Sequence, residues 1–157
     1  MKAVSVKEIK QELNTLTPKE VQDICLRLSR FKKENKELLT YLLFESHNEE
    51  GYIQSVKDYI DEEFEIINRD SFYYIRKSVR KILRNIKKYV RYSQKKETEV
   101  ELLLYFCKKL KDFKPNIQRS TQLLNMYKRQ LFLAKKHMST LHEDLQYDFN
   151  IMIEELE

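Results

Sequence analysis

The sequence predicts an all-α protein, and three observations carry the prediction. One Gly and two Pro in 157 residues leave too little turn chemistry for a β-sandwich, a barrel or a Rossmann sheet with its glycine loop. Apolar residues recur at spacings of three and four along nearly the whole chain. Paired N-capping signals stand in front of the first two of these stripes. The length suits one domain, 1–157, with an N-terminal helical hairpin over 1–47 and a helical body over 52–157. Six to eight helices in antiparallel pairs are expected, as a compact bundle or a short α-solenoid.

Ser5-x-x-Glu8 opens a short helix with Val6, Ile9, Leu13 and Leu16 on one side, because serine and glutamate satisfy two free backbone N–H groups reciprocally. Thr17-Pro18-Lys19-Glu20 repeats that box with proline at the first helical position, and its core stripe reads Val21, Ile24, Cys25, Leu28, Phe31. Leu38, Leu39, Leu42 and Leu43 either continue this helix or follow a break at Lys32 to Asn35, where four polar residues interrupt the pattern. Gly51, the single glycine, follows Ser46-His47-Asn48-Glu49-Glu50 and reads as the linker between hairpin and body. Ile53, Val56, Ile60, Phe64 and Ile67 then form a stripe that stops at Asn68-Arg69-Asp70-Ser71.

The next helix is expected from Ser71 to Ser93. A polar hinge, Gln94 to Thr98, leads to Val100, Leu103, Leu104, Cys107 and Leu110, and Lys114-Pro115-Asn116 ends that helix. From Ile117 onward the stripe Leu124, Tyr127, Leu131, Ala134, Met138, Leu141, Leu145, Phe149, Met152, Leu156 fits one helix of about forty residues. The favoured reading breaks it near Met138 to Thr140, with Thr140-x-x-Glu143 as a second capping box.

Hydrophobic residues at 41% and charged residues at 35% suit a chain that buries a core. The longest apolar run, Leu102 to Cys107, cannot span a bilayer, and the start turns polar too early for a signal peptide, so a cytoplasmic location without a membrane partner is expected. Cys25 and Cys107 lie among apolar positions and are expected to be reduced.

The net charge of +5 conceals a polarised chain. Ten basic residues and no acidic one lie between Ser71 and Lys96, which leaves −5 for everything else. At about 100° per residue, Phe72, Ile75, Val79, Ile82, Leu83, Ile86 and Val90 share one arc, while every base except Lys96 falls in a separate one. Arg76, Arg80, Arg84, Lys87 and Arg91 run in line, with Tyr73 among them and Tyr74 and Tyr92 at the edge. Like charges at i, i+4 repel by a few tenths of a kcal/mol per pair, so something negative should compensate. The acids Glu45, Glu49, Glu50, Asp58, Asp61, Glu62, Glu63 and Glu65 offer an internal source, and a phosphate backbone an external one.

One glycine excludes a phosphate loop of P-loop, Rossmann or kinase kind, and no Gly-x-Ser-x-Gly elbow or Cys-x-x-Cys occurs. His137 and His142 stand near Glu143 and Asp144, but their spacing matches no zinc signature and both read as solvated helix-end histidines. No cofactor, metal or catalytic residue is expected.

Ile9-Lys10-x-x-Leu13-x-x-Leu16-Thr17-x-x-Glu20, Lys77-Ser78-Val79-Arg80-Lys81-Ile82 and Val100-Glu101-Leu102-Leu103-Leu104-Tyr105-Phe106 resemble a family of small, all-helical bacterial proteins with a lysine-rich helical start. The resemblance implies neither an activity nor site residues. The first 35 residues are also similar to the two-helix SAP module, which binds DNA, but Asn14-Thr15-Leu16-Thr17 replaces its usual inter-helix glycine. The expectation is therefore a non-enzymatic protein-interaction module. The alternative is nucleic-acid binding through Tyr73, Arg76, Arg80, Arg84, Lys87 and Arg91. A third reading is a homodimer held by the heptad-like C-terminal helix through Leu131 and Leu145.

Overall fold

The computed structural model describes all 157 residues, which form eight α-helices and no strand. Two compact units are found, Met1–Phe44 and Glu45–Glu157, so the division falls before Gly51 rather than at it.

In the first unit, α1 (Val6–Leu13) and α2 (Pro18–Phe31) begin at the two expected capping boxes. The Ser5 N–H donates to Glu8 Oε2 at 2.8 Å and the Glu8 N–H to Ser5 Oγ at 3.3 Å; Thr17 and Glu20 exchange the same bonds at 2.7 and 3.3 Å. These bonds hold both carboxyls below their ordinary range, Glu8 chiefly through the Ser5 hydroxyl and Glu20 chiefly through the Thr17 N–H. The chain does break after Phe31: Lys32 is extended (φ −141°, ψ 147°), α3 runs Lys33–Thr40, and the Asn35 side-chain amide donates to the Leu28 carbonyl at 2.9 Å. α2 and α3 pack on each other. The expected core stripes of these helices are not buried. Tyr41 alone in this unit is buried, while Val6, Ile9, Ile24, Leu28, Phe31 and Leu42 are exposed, because three short helices cannot enclose one another's apolar faces. A π-helical turn, Tyr41–Glu45, follows α3.

The second unit holds α4 (Glu49–Glu65), α5 (Phe72–Ser93), α6 (Lys96–Asp112), α7 (Thr121–Met138) and α8 (Glu143–Glu154). α6 packs against α4, α5, α7 and α8. In a solenoid each repeat touches only its neighbours, so these contacts define a bundle around α6. Its central place explains the unbroken apolar run: Leu102, Leu103, Leu104, Phe106 and Cys107 are all buried, leaving only Tyr105 at an edge. Burial pushes the Cys107 thiol up to about 12, and both cysteines are free. α6 closes at Asp112, and the Lys114–Pro115 bond is cis.

Two expectations need correction. Gly51 is no linker but the third residue of α4, where its N–H donates to the capping Asn48 Oδ1 at 3.1 Å. The break after Met138 exists, yet α8 is capped by His142, whose Nδ1 accepts from the Asp144 N–H at 3.3 Å, and not by Thr140, whose hydroxyl donates back to the His137 carbonyl. Leu131 is 8% exposed on α7, which packs on α6, whereas Leu145 on α8 is only half-buried. No helix is long and apolar enough to cross a membrane.

Candidate functional site

The candidate site is the outer face of α5, and its inner face determines its orientation. Ile75, Val79, Ile82, Leu83 and Ile86 are buried where α5 packs on α4 and α6. The 100° rotation per residue then turns Arg80, Arg84, Lys87 and Arg91 outward, where they are exposed, and leaves Arg76 half-exposed. These five bases span 16 residues, or about 22 Å of helix.

The neighbouring acids engage the flanks of this face and not its centre. Glu63 of α4 takes Lys81 at 3.0 Å and, by hydrogen bond first and attraction second, holds that ammonium above its ordinary pKa. Glu49 receives Lys95 at 3.4 Å together with the Ser93 and Thr98 hydroxyls, at the far end of α5. Asp61 turns toward α6 instead, where Lys109 lies at 3.0 Å and the Tyr105 hydroxyl donates to it at 2.8 Å. Lys57 of α4 pairs with Glu101 of α6 at 2.6 Å. Asp58 accepts from Gln54 on its own helix, and Glu50, Glu62 and Glu65 face solvent. None of Arg76, Arg80, Arg84, Lys87 and Arg91 makes an ion pair or a side-chain hydrogen bond.

The row also departs from the chain's own habit. Lysine outnumbers arginine 21 to 9 overall, yet four of these five positions are arginine. A planar guanidinium presents a donor fork that matches phosphate or carboxylate with two parallel hydrogen bonds, which a lysine ammonium does not.

Tyr73 stands at the N-terminal end of the row, within the basic arc, and is 62% exposed. Its ring meets that of Tyr74 edge to face, with centroids 5.4 Å apart. At the other end Tyr92 packs edge-on against Tyr89, 6.2 Å away, and is half-buried, so it offers less free surface than Tyr73. The structure thus brings all six sequence-derived positions, Tyr73, Arg76, Arg80, Arg84, Lys87 and Arg91, to one solvent-facing side of α5. It adds one that the sequence could not reveal. Arg119, far along the chain, lies over the Phe72 ring at 6.0 Å and sets a further cation beside the first residue of α5.

Elsewhere the chemistry is structural. His137 is not solvated as expected; its Nδ1 is buried 2.8 Å from Glu99 Oε2 of α6, without hydrogen-bond geometry. No three of the His, Cys, Asp and Glu side chains come together as a metal site. In the first unit, Cys25, Leu28, Ser29, Leu38, Leu39 and Leu42 line a shallow groove of about 210 Å³ between α2 and α3. No family model matches this chain, and neither a curated protein nor a solved structure does.

Proposed function

We propose that this chain is a non-enzymatic binding protein whose contact surface is the basic face of α5, and that its partner is a nucleic acid held through its phosphates. One observation carries the reading: five aligned bases remain without a carboxylate although the acid-rich α4 packs beside them. Arg80, Arg84 and the rest therefore keep their mutual repulsion, which an external row of negative charges would relieve. The unpaired row supports nucleic-acid contact over protein contact, the reverse of the order expected from sequence.

Fluorescence anisotropy with labelled oligonucleotides across a salt series tests it. Five phosphate contacts on a single strand predict that log K falls with log salt at a slope of about −3.5, and on duplex about −4.5. Reversing Arg80, Arg84 and Lys87 to Glu should abolish binding. Absence of binding at low salt, or affinity unchanged by the triple reversal, overturns the reading.

A second reading, protein docking, is supported by the exposed apolar faces of the first unit, with Leu28 at 54% and Phe31 at 76% exposure. Leu28→Asp with Leu42→Asp should then remove a specific protein partner while leaving oligonucleotide binding intact.

A further inference from the structure

We infer that the nucleic acid taken by α5 is single-stranded, and that Tyr73 is the residue on which an unpaired base stacks. The inference rests on the nucleic-acid reading above and adds the state of the ligand. A row of cations alone does not select single strands over duplex, because both present it with phosphates in a regular row. The aromatic ring does separate them.

Tyr73 precedes Arg76 and Lys77 by three and four residues, so it sits one helical turn before the first cations and on the same side of the helix. A strand whose phosphates follow Arg76, Arg80, Arg84 and Arg91 therefore passes the phenol ring. Tyr73 is 62% exposed, and the edge-to-face geometry of its contact with Tyr74 lets that neighbour cover at most one face of the ring. In a duplex every base face is already stacked on its neighbours, and a tyrosine in line with the phosphates gains nothing from them. In a single strand the base faces are open, and stacking on an aromatic side chain contributes about 1–3 kcal/mol per base.

The rest of the face matches a sequence-tolerant contact. Asn85, the one amide within α5, donates to the Tyr59 hydroxyl of α4 at 2.6 Å, on the flank of the helix and not in the basic row. The row itself presents charge and the Tyr73 ring, with Tyr74 exposed beside it. Every base has a π-face, so this set takes single strands without a fixed sequence.

The test uses the full chain and four probes of equal length, about 12 nucleotides: single-stranded DNA, single-stranded RNA, duplex DNA, and an abasic single strand that keeps the sugar-phosphate backbone. Anisotropy is measured for the native chain, Tyr73→Ala, Tyr73→Phe and the Arg80, Arg84 and Lys87 reversal, with circular dichroism confirming that each is folded. The expected result is tighter binding of a single strand than of duplex, a loss of roughly fivefold or more in Tyr73→Ala, retention in Tyr73→Phe, and an abasic strand that binds native chain no better than Tyr73→Ala binds the intact strand. Duplex binding as tight as single-strand binding, or Tyr73→Ala without effect while the charge reversal abolishes binding, overturns the inference and leaves the nucleic-acid reading standing. Binding of none of the probes, or displacement of the oligonucleotide by polyglutamate at equal charge concentration, overturns both.

Discussion

Gly51 is required by a close approach and not by backbone conformation, and a double-mutant cycle with Asn48 measures that difference. No glycine in the chain has positive φ, so Gly51 gives up no special backbone angle to alanine. A Cβ at this position would instead lie 2.5 Å from Asn48 Nδ2 and 3.0 Å from its Cγ, driving the amide out of the cap that accepts the Gly51 N–H. Two effects then oppose each other. Alanine in place of glycine within a helix gains about 1 kcal/mol, and loss of the asparagine cap costs about 1 kcal/mol. Gly51→Ala alone should be close to neutral, Asn48→Ala should destabilise by about 1 kcal/mol, and the pair together should be close to neutral, because with the amide gone the alanine gain is realised in full. The coupling is thus about 1 kcal/mol, read as shifts of the urea midpoint at constant slope by far-ultraviolet circular dichroism. Full stabilisation of about 1 kcal/mol by Gly51→Ala in the presence of Asn48, with no coupling, would refute the reasoning.

Two further outcomes follow from the core. Tyr105 and Tyr127 are both pushed up to about 12, chiefly by burial; a donated hydrogen bond to Asp61 and its charge reinforce the first, and neighbouring negative charges the second. A phenol raised in the folded state stabilises the fold fully below its unfolded value near 10, and that contribution is lost as pH rises toward 12. An ultraviolet titration should therefore show a late-ionising phase that Tyr105→Phe and Tyr127→Phe each diminish, accompanied by loss of helix; a late phase unchanged by both variants contradicts the assignment. Leu131→Asp removes a buried side chain and leaves a carboxylate without a partner, at a cost of roughly 4 kcal/mol or more. The variant should unfold in thermal melts, and a stable variant with altered size in gel filtration would instead make this stripe an interface between copies.

What could be read from the sequence divides by range. Ser5 with Glu8 and Thr17 with Glu20 are pairs three residues apart, and their reciprocal bonds form from local chain alone, so both helix starts were legible. At the start of α8 the same logic offered Thr140 and Glu143, but the chain makes one more turn and His142 caps instead, a choice among local solutions that the packing of α7 and α8 decides. Periodicity shows that a face is apolar and does not show that anything covers it. The stripe of α5 meets α4 and α6 and is buried, whereas the equally regular stripe Ile24, Leu28, Phe31 of α2 remains exposed.

The charge pattern shows the same limit at the site itself. That the bases share one side of α5 follows from the helical angle and needs no structure. Whether the acids of 45–65 cancel them depends on how α4 is rotated against α5 and α6, which is a tertiary quantity. One residue pair illustrates it: Glu63 reaches Lys81 across the α4–α5 contact, while Asp61, two positions earlier and so about 200° around the helix, is turned to Lys109 and Tyr105 of α6. A rotation of α4 that brought Asp61 toward α5 would break both bonds to α6 and carry Ile60 and Phe64 out of the core, where they are 0% and 4% exposed. The hydrophobic register of α4 therefore decides the electrostatics of α5: burying these apolar residues commits the acids to α6, to the flanks and to solvent, and leaves the basic row without a carboxylate.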